Sequence, residues 1–227
     1  MIDICALVPA HNEEDKIENT IKTIKDSKYI KEVYVIDDGS KDNTALKSGK
    51  AGAKVFKLNK NRGKGYALEY GLRKIIDKSE IIVFLDGDLE ASSKDIDNLI
   101  EPVLKNECDV TIAKFARTKK KGGFGLVKSL AKNGVKYFTD QEIDCTLSGQ
   151  RAYKTEVLRS IQDIPRKYGV EVGMTIDILK LGFIIKEIEV EMGHRESGRN
   201  FKGFIHRGKQ FYQILWILIQ KGLGWEI

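Results

Sequence analysis

Over its first 113 residues the chain alternates short apolar runs with amphipathic stretches, a rhythm that few architectures can satisfy. "IDICALV" (2–8), "KEVYVIDD" (31–38), "AKVFKL" (53–58), "EIIVFLDGD" (80–88) and "CDVTIA" (108–113) read as strands. Between them, Ile17, Ile21 and Ile24 recur at helical spacing. Leu68, Leu72, Ile75 and Ile76 share one helical face, and so do Ile96, Leu99, Ile100, Val103 and Leu104. Buried strands separated by helices predict an α/β fold, a mostly parallel central sheet with helices on both faces.

The second half is less regular. "GGFGLVKSLAKNGVKYF" reads as helical after a flexible start, "DCTLSGQRAYK" as short and extended. Val172, Ile176 and Leu179 mark another helix, and "FIIKEIEVEM" alternates like a strand. The tail sets Phe211, Ile214, Leu215 and Leu218 on one helical face, too short an apolar stretch to span a bilayer, which takes about 20 residues. With 227 residues, no Pro- or Ser-rich linker and no repeat, a single domain is expected over 1–227. Its halves are 1–113 for one ligand and 114–227, with the C-terminal helix, for another.

In parallel α/β sheets ligands bind beyond the carboxyl ends of the strands. The polar clusters fall there: "PAHNEE" after the first strand, "DDGS" after the second, "DGD" after the fourth. Asp86 and Asp88, two carboxylates at i, i+2 around Gly87, can share one hard divalent cation; they can equally form an Asx turn. Lys64, between Gly63 and Gly65 at a helix start, suits a phosphate, or belongs to a basic loop; its spacing is not that of a P-loop. Asn12 reads as an N-cap, with Glu13 and Glu14 as first-turn acids. Glu171 likewise opens a helix. His194, beside Arg195, follows a strand and reads as either a ligand or a surface histidine.

The net charge of +6 is concentrated in "KFARTKKKGG" (114–123) and "HRESGRNFKGFIHRGK" (194–209), which suits an anionic partner. No aromatics interleave the first run, so nucleic acid is disfavoured. Cys5, Cys108 and Cys145 are odd in number and far apart, without metal spacing or a disulfide framework. The expected setting is reducing and cytoplasmic, with no signal peptide and at most peripheral contact with the inner membrane face.

As an ordered set, "VPAHNEE", "VIDDGSKDNT", "NRGKGYAL" and "FLDGDLE" resemble the family 2 glycosyltransferases and their relatives with the A-type glycosyltransferase fold. The "NRGKGYAL" form is similar to the branch that includes polyprenyl-phosphate sugar synthases. "LSGQRAY", "YGVEVGMTID" and "MGHRESGR" are similar to segments of the glucosyl-3-phosphoglycerate synthases, which retain configuration. The acceptor motif of those synthases has no counterpart in "GGFGLVKSL".

The resemblance implies a nucleotide-sugar donor, with UDP the preferred nucleotide, and a divalent metal, Mg2+ or Mn2+. It implies nucleotide contacts from Pro9, Ala10, Asn12, Glu14, Asp38, Gly39, Ser40, Lys64, Asp86 and Gly87. Asp88, with Asp86 and His194, would hold the metal, and Gly149 and Gln150 the acceptor, a small molecule or a lipid-linked one. Arg195 would assist departure of the leaving group. If the enzyme inverts, Glu171 is the general base. If it retains, the backbone at Leu147 lies under the anomeric carbon and Glu171 positions the acceptor; the second-half segments favour this. A homodimer is compatible with all of this. Rival readings are a polyprenyl-phosphate sugar transferase at a membrane, a nucleotidyltransferase, and a non-catalytic nucleotide-sugar sensor. "VPAHNEE" argues against the nucleotidyltransferase, which should carry a glycine- and arginine-rich loop there.

Overall fold

The computed structural model describes residues 2–90, 95–115, 125–161, 164, 169–191 and 201–223, with side chains from 208 onward in the last stretch. The described strands form a seven-stranded sheet in the order β3-β2-β1-β4-β6-β5-β7. They are β1 (Ile4–Ala10), β2 (Glu32–Asp37), β3 (Lys54–Lys57), β4 (Ile81–Phe84), β5 (Val110–Phe115), β6 (Arg151–Lys154) and β7 (Ile185–Val190). All neighbouring pairs are parallel except those made by β6, which runs antiparallel to both β4 and β5. This is the mostly parallel α/β sheet that the alternation predicts.

The side-chain period of two explains why β1 and β4 are apolar throughout. In β1, Ile4, Ala6, Val8 and Ala10 enter one core cluster while Cys5 and Leu7 enter the other. In β4, Ile81 and Val83 face the first cluster, Ile82 and Phe84 the second. Helices α1 (Ile17–Lys25) and α4 (Ile96–Leu104) cover the first face. Helix α3 (Lys64–Ile75) and the helix Val170–Lys180 cover the second. Ile17, Ile21 and Ile24 are fully buried, as their spacing predicts.

Helix α2 (Thr44–Lys50) escapes a reading by hydrophobic period because its buried residues are Thr44 and Ser48, polar at i, i+4. The later helices are α5 (Leu126–Thr139), α6 (Thr155–Ser160), α7 (Val170–Lys180) and α8 (Phe201–Gly222). The expected division at 113 falls inside β5, and β6 from the second half sits between β4 and β5. The stripe expected on α8 is also shifted: Ile214 and Ile217 are buried, whereas Phe211 and Leu215 are exposed.

Candidate active site

Strands β2, β1 and β4 lie side by side, so the segments after Asp37, Ala10 and Phe84 gather at one edge of the sheet. The first two segments are sewn together. Asn12, in a left-handed conformation (φ 55°), donates its backbone N–H to Ser40 Oγ at 2.9 Å, and its Oδ1 accepts from Lys41 N. Glu13 N donates to Thr44 Oγ1, and Glu14 Oε2 accepts from both Asn43 N and Asn43 Nδ2. His11 Nδ1 lies 2.9 Å from the Asp38 carbonyl, which can only accept, so Nδ1 carries the proton. Asn12 is therefore no N-cap. Helix α1 starts at Ile17 without a side-chain cap, and the polar residues before it bind the neighbouring turn instead.

The paired aspartates face inward. Asp37 is fully buried, with Oδ1 accepting from Ser40 N at 2.8 Å. Its Oδ2 has no hydrogen-bond partner among the described residues and lies 3.7 Å from Lys57 Nζ. Asp38 accepts from Arg62 N on one oxygen and Gly63 N on the other, each at 2.8 Å. Gly39 allows the approach: at φ +69°, an added Cβ would lie 2.5 Å from the Lys60 carbonyl carbon. Asp38 thus fastens the loop that begins α3, whatever it also offers a nucleotide. Asp38→Ala should lower stability by about 1.5–3 kcal/mol, and with it the affinity for the UDP that the sequence resemblance implies. Thermal melts beside calorimetric titration would separate this from a residue that only touches ligand.

The loop delivers Lys64 to the centre. Its Nζ lies 2.7 Å from Asp86 Oδ1 and 2.9 Å from Glu171 Oε1, bridging β4's carboxyl end to the first turn of α7. Burial alone would lower the ammonium's pKa; the charges of Asp86 and Glu171 outweigh that and hold it above lysine's ordinary range. Lys64 stays a cation at any physiological pH. Gln150, 2% exposed, donates from Nε2 to Asp86 Oδ2 at 2.6 Å. A Cβ on Gly149 would come within 2.4 Å of Lys64 Nζ and 3.2 Å of Asp86 Oδ2. Gly149→Ala should leave the fold intact, since the clash falls on a flexible side-chain end, but displace Lys64. The expected readout is an affinity at least fivefold weaker for the UDP that the sequence resemblance implies, with a melting temperature lowered by only a few degrees as the Lys64 ion pairs loosen.

A Cβ on Gly87 would lie 3.2 Å from both Ala10 Cβ and Ile17 Cδ1, and the Gly87 carbonyl accepts from Thr20 Oγ1 at 3.1 Å. Thr20 Oγ1 also accepts from Glu90 N, so α1 anchors both sides of Asp88. Asp88 is half-buried, and among the described residues its carboxylate has neither hydrogen bond nor ion pair. A carboxylate held by a rigid turn and left without a protein partner fits a hard cation. Asp86 is engaged by Lys64 and Gln150. Among the described residues no three His, Cys, Asp or Glu side chains cluster as a metal site. His194 and Arg195 lie outside the described residues.

Leu147, half-buried, sits in a turn closed by Ser148 N donating to Cys145 O at 3.0 Å. The three cysteines are free, and burial first of all pushes the Cys5 and Cys145 thiols up to about 11, which excludes a ready thiolate nucleophile. Sequence reading missed Thr20, Thr175 and Arg151. Only Arg151 left a signal, as an arginine at the head of the apolar run "AY".

Comparison with known proteins identifies the family. The model of "Glycosyl transferase family 2" matches residues 5–161. The glucosyl-3-phosphoglycerate synthase of Mycolicibacterium smegmatis is 29% identical over 194 residues, covering 77% of this chain and 63% of that protein. The UDP-N-acetylglucosamine–dolichyl-phosphate N-acetylglucosaminyltransferase of Methanococcus voltae is 27% identical over 188 residues, covering 70% and 72%. The crystal structure of glucosyl-3-phosphoglycerate synthase from Mycobacterium tuberculosis with Mn2+, UDP and glucosyl-3-phosphoglycerate superposes with a TM-score of 0.78 at 26% identity, covering 96% of this chain and 79% of that one. The same enzyme has also been solved with Mg2+ and UDP.

Proposed function

This chain belongs to glycosyl transferase family 2, and from that premise we propose that it moves a sugar from a UDP-linked donor to an acceptor hydroxyl, within one domain. The observation that carries the reading is the Lys64 bridge between Asp86 and Glu171, roofed by Gly149, with Asp88 two residues beyond Asp86 and unpartnered among the described residues. The similar glucosyl-3-phosphoglycerate synthase, solved with UDP and Mn2+ or Mg2+, supports the choice of nucleotide and cation.

Asp88, beside Asp86, would hold the divalent ion. When bound, that ion supplies Lewis-acid stabilisation of the negative charge growing on the departing nucleoside diphosphate. Lys64 adds a fixed positive charge at the same place, already oriented before substrate arrives. Lys64 also donates to Glu171, so one oxygen of that carboxylate is engaged and the other is available to the acceptor. That supports Glu171 as the group that orients the acceptor; the likeness of the second-half segments to retaining synthases supports, in our reading, the Leu147–Gly149 backbone under the sugar and a retaining reaction. Melting curves with a panel of nucleotide sugars, with and without manganese, test the assignment. The expected result is a shift with UDP-sugars that requires the metal; no shift with any UDP compound would overturn it.

A lipid-linked acceptor is a second reading, favoured by the outer face of α8. Tyr212, Leu215, Trp216 and Ile219 are exposed there, with Leu223 just beyond its end, and α8 contains no Asp or Glu. An apolar, aromatic-bearing face on a basic helix suits the surface of an anionic bilayer. No helix among the described residues is long and apolar enough to cross one. Flotation with anionic liposomes at low salt, lost at about 0.5 M salt, is expected. Failure to float, with a dimer by light scattering, would assign this face to a second copy of the chain.

A further inference from the structure

The best-buried cation of the described chain is not in the site. Arg151 is 1% exposed, yet among the described residues its guanidinium meets no acid: Nε donates to Ser148 O at 2.8 Å, Nη2 to Thr146 O at 2.8 Å and Nη1 to Thr175 Oγ1 at 2.9 Å. Removing such a charge from water without a counter-ion among the described residues is costly, and a position needing only volume would be filled better by an apolar side chain. The three acceptors belong to two elements. Thr146 and Ser148 flank Leu147 in the turn before Gly149 and Gln150. Thr175 lies on α7, where its single hydroxyl proton goes to the Glu171 carbonyl at 2.6 Å. Arg151 is therefore the fork that fastens the 146–148 turn to the helix turn carrying Glu171. On either side of that fastening stand the two groups that meet at Lys64: Gln150 bound to Asp86, and Glu171 itself.

We propose that Arg151 is a positioning residue for the transfer reaction. It sets the Leu147–Gln150 strip and the first turn of α7 in one register, so that Asp86, Lys64 and Glu171 face the substrate at fixed separations. A lysine cannot replace it, because one ammonium cannot span three acceptors that a planar fork reaches at once. The kinetic consequence rests on the glycosyl-transfer reading; the mechanical one does not.

The test uses Thr175→Val, which removes one arm at constant volume, and Arg151→Lys. Three readouts apply: UDP affinity by calorimetry, UDP release from UDP-glucose with manganese, and amide hydrogen exchange. Thr175→Val should keep the wild-type KM and UDP affinity, lower kcat about tenfold, and speed exchange at 147–150 and 172–175. Arg151→Lys should lower kcat further, and the double variant should do no worse than Arg151→Lys alone, as expected for one shared network. Unchanged kcat in Thr175→Val, or a rise in KM in place of a fall in kcat, would overturn the proposal. If the wild type neither binds UDP nor releases it, the glycosyl-transfer reading fails, and the exchange at 147–150 then decides alone: wild-type protection in Thr175→Val refutes the positioning role. Should Arg151→Lys not fold, Thr175→Val decides the question by the same three readouts.

Discussion

Asp88→Ala is expected to reduce sugar transfer by about a thousandfold while leaving the melting temperature within a few degrees of wild type. Both halves of that expectation come from the same geometry. The Asp88 carboxylate has no protein partner among the described residues, so truncation leaves no donor unsatisfied and breaks no ion pair. What is lost is stabilisation of the leaving diphosphate, and a single preorganised electrostatic contact at developing charge is worth about a hundred- to a thousandfold. Asp86→Ala makes the contrast: it leaves Lys64 Nζ with Glu171 alone and Gln150 Nε2 without its acceptor, and should cost stability too. Initial rates of UDP release across a manganese titration, beside melting curves of both variants, measure the difference. Undiminished turnover by the wild type in excess chelator would remove the cation, and with it the role of Asp88.

How far the site was legible follows from what each residue interacts with. The strand ends could be read because β1, β2 and β4 are buried on both faces and stop abruptly at charge, as at Asp37 and Asp86. The buried Ile17, Ile21 and Ile24 stripe gave α1 away by its period. Asn12 misleads because Asn before a helix is the ordinary N-cap, whereas here tertiary contact with Ser40 and Lys41 wins over local capping. Asp38 stands out in the sequence, but no pattern in "DDGS" tells that both of its oxygens turn inward to Arg62 and Gly63. Helix α2 and the Arg151 fork were invisible for a related reason: their buried groups are polar, and hydrophobic periodicity carries no trace of Thr44, Ser48 or Thr175. Polar burial is stabilised by partners distant in sequence, and a single sequence does not name them.

The second large effect is expected at Lys64. Lys64→Met keeps the length of the side chain and removes the charge, leaving Asp86 and Glu171 facing a gap without their shared cation. Loss of one partner from a buried pair costs about 3–5 kcal/mol; with 35% of the Lys64 side chain exposed, about 1–3 kcal/mol is expected here. The loss in transfer should be larger, a hundredfold or more, since both the diphosphate and Glu171 lose an oriented donor. The pH dependence has a definite sign. Because the folded-state pKa of Lys64 is raised, its ion pairs contribute fully below the unfolded value of about 10.4 and fade only as pH climbs through the folded one. The stability gap between wild type and Lys64→Met should therefore be flat from pH 6 to 9, and any alkaline fall in wild-type activity within that window must come from another group. Urea melts at several pH values measure the gap. A difference that shrinks steadily between pH 7 and 9 would mean that Lys64 deprotonates there, that its pairs with Asp86 and Glu171 are weak, and that the centre of the site is not the fixed cation assigned to it.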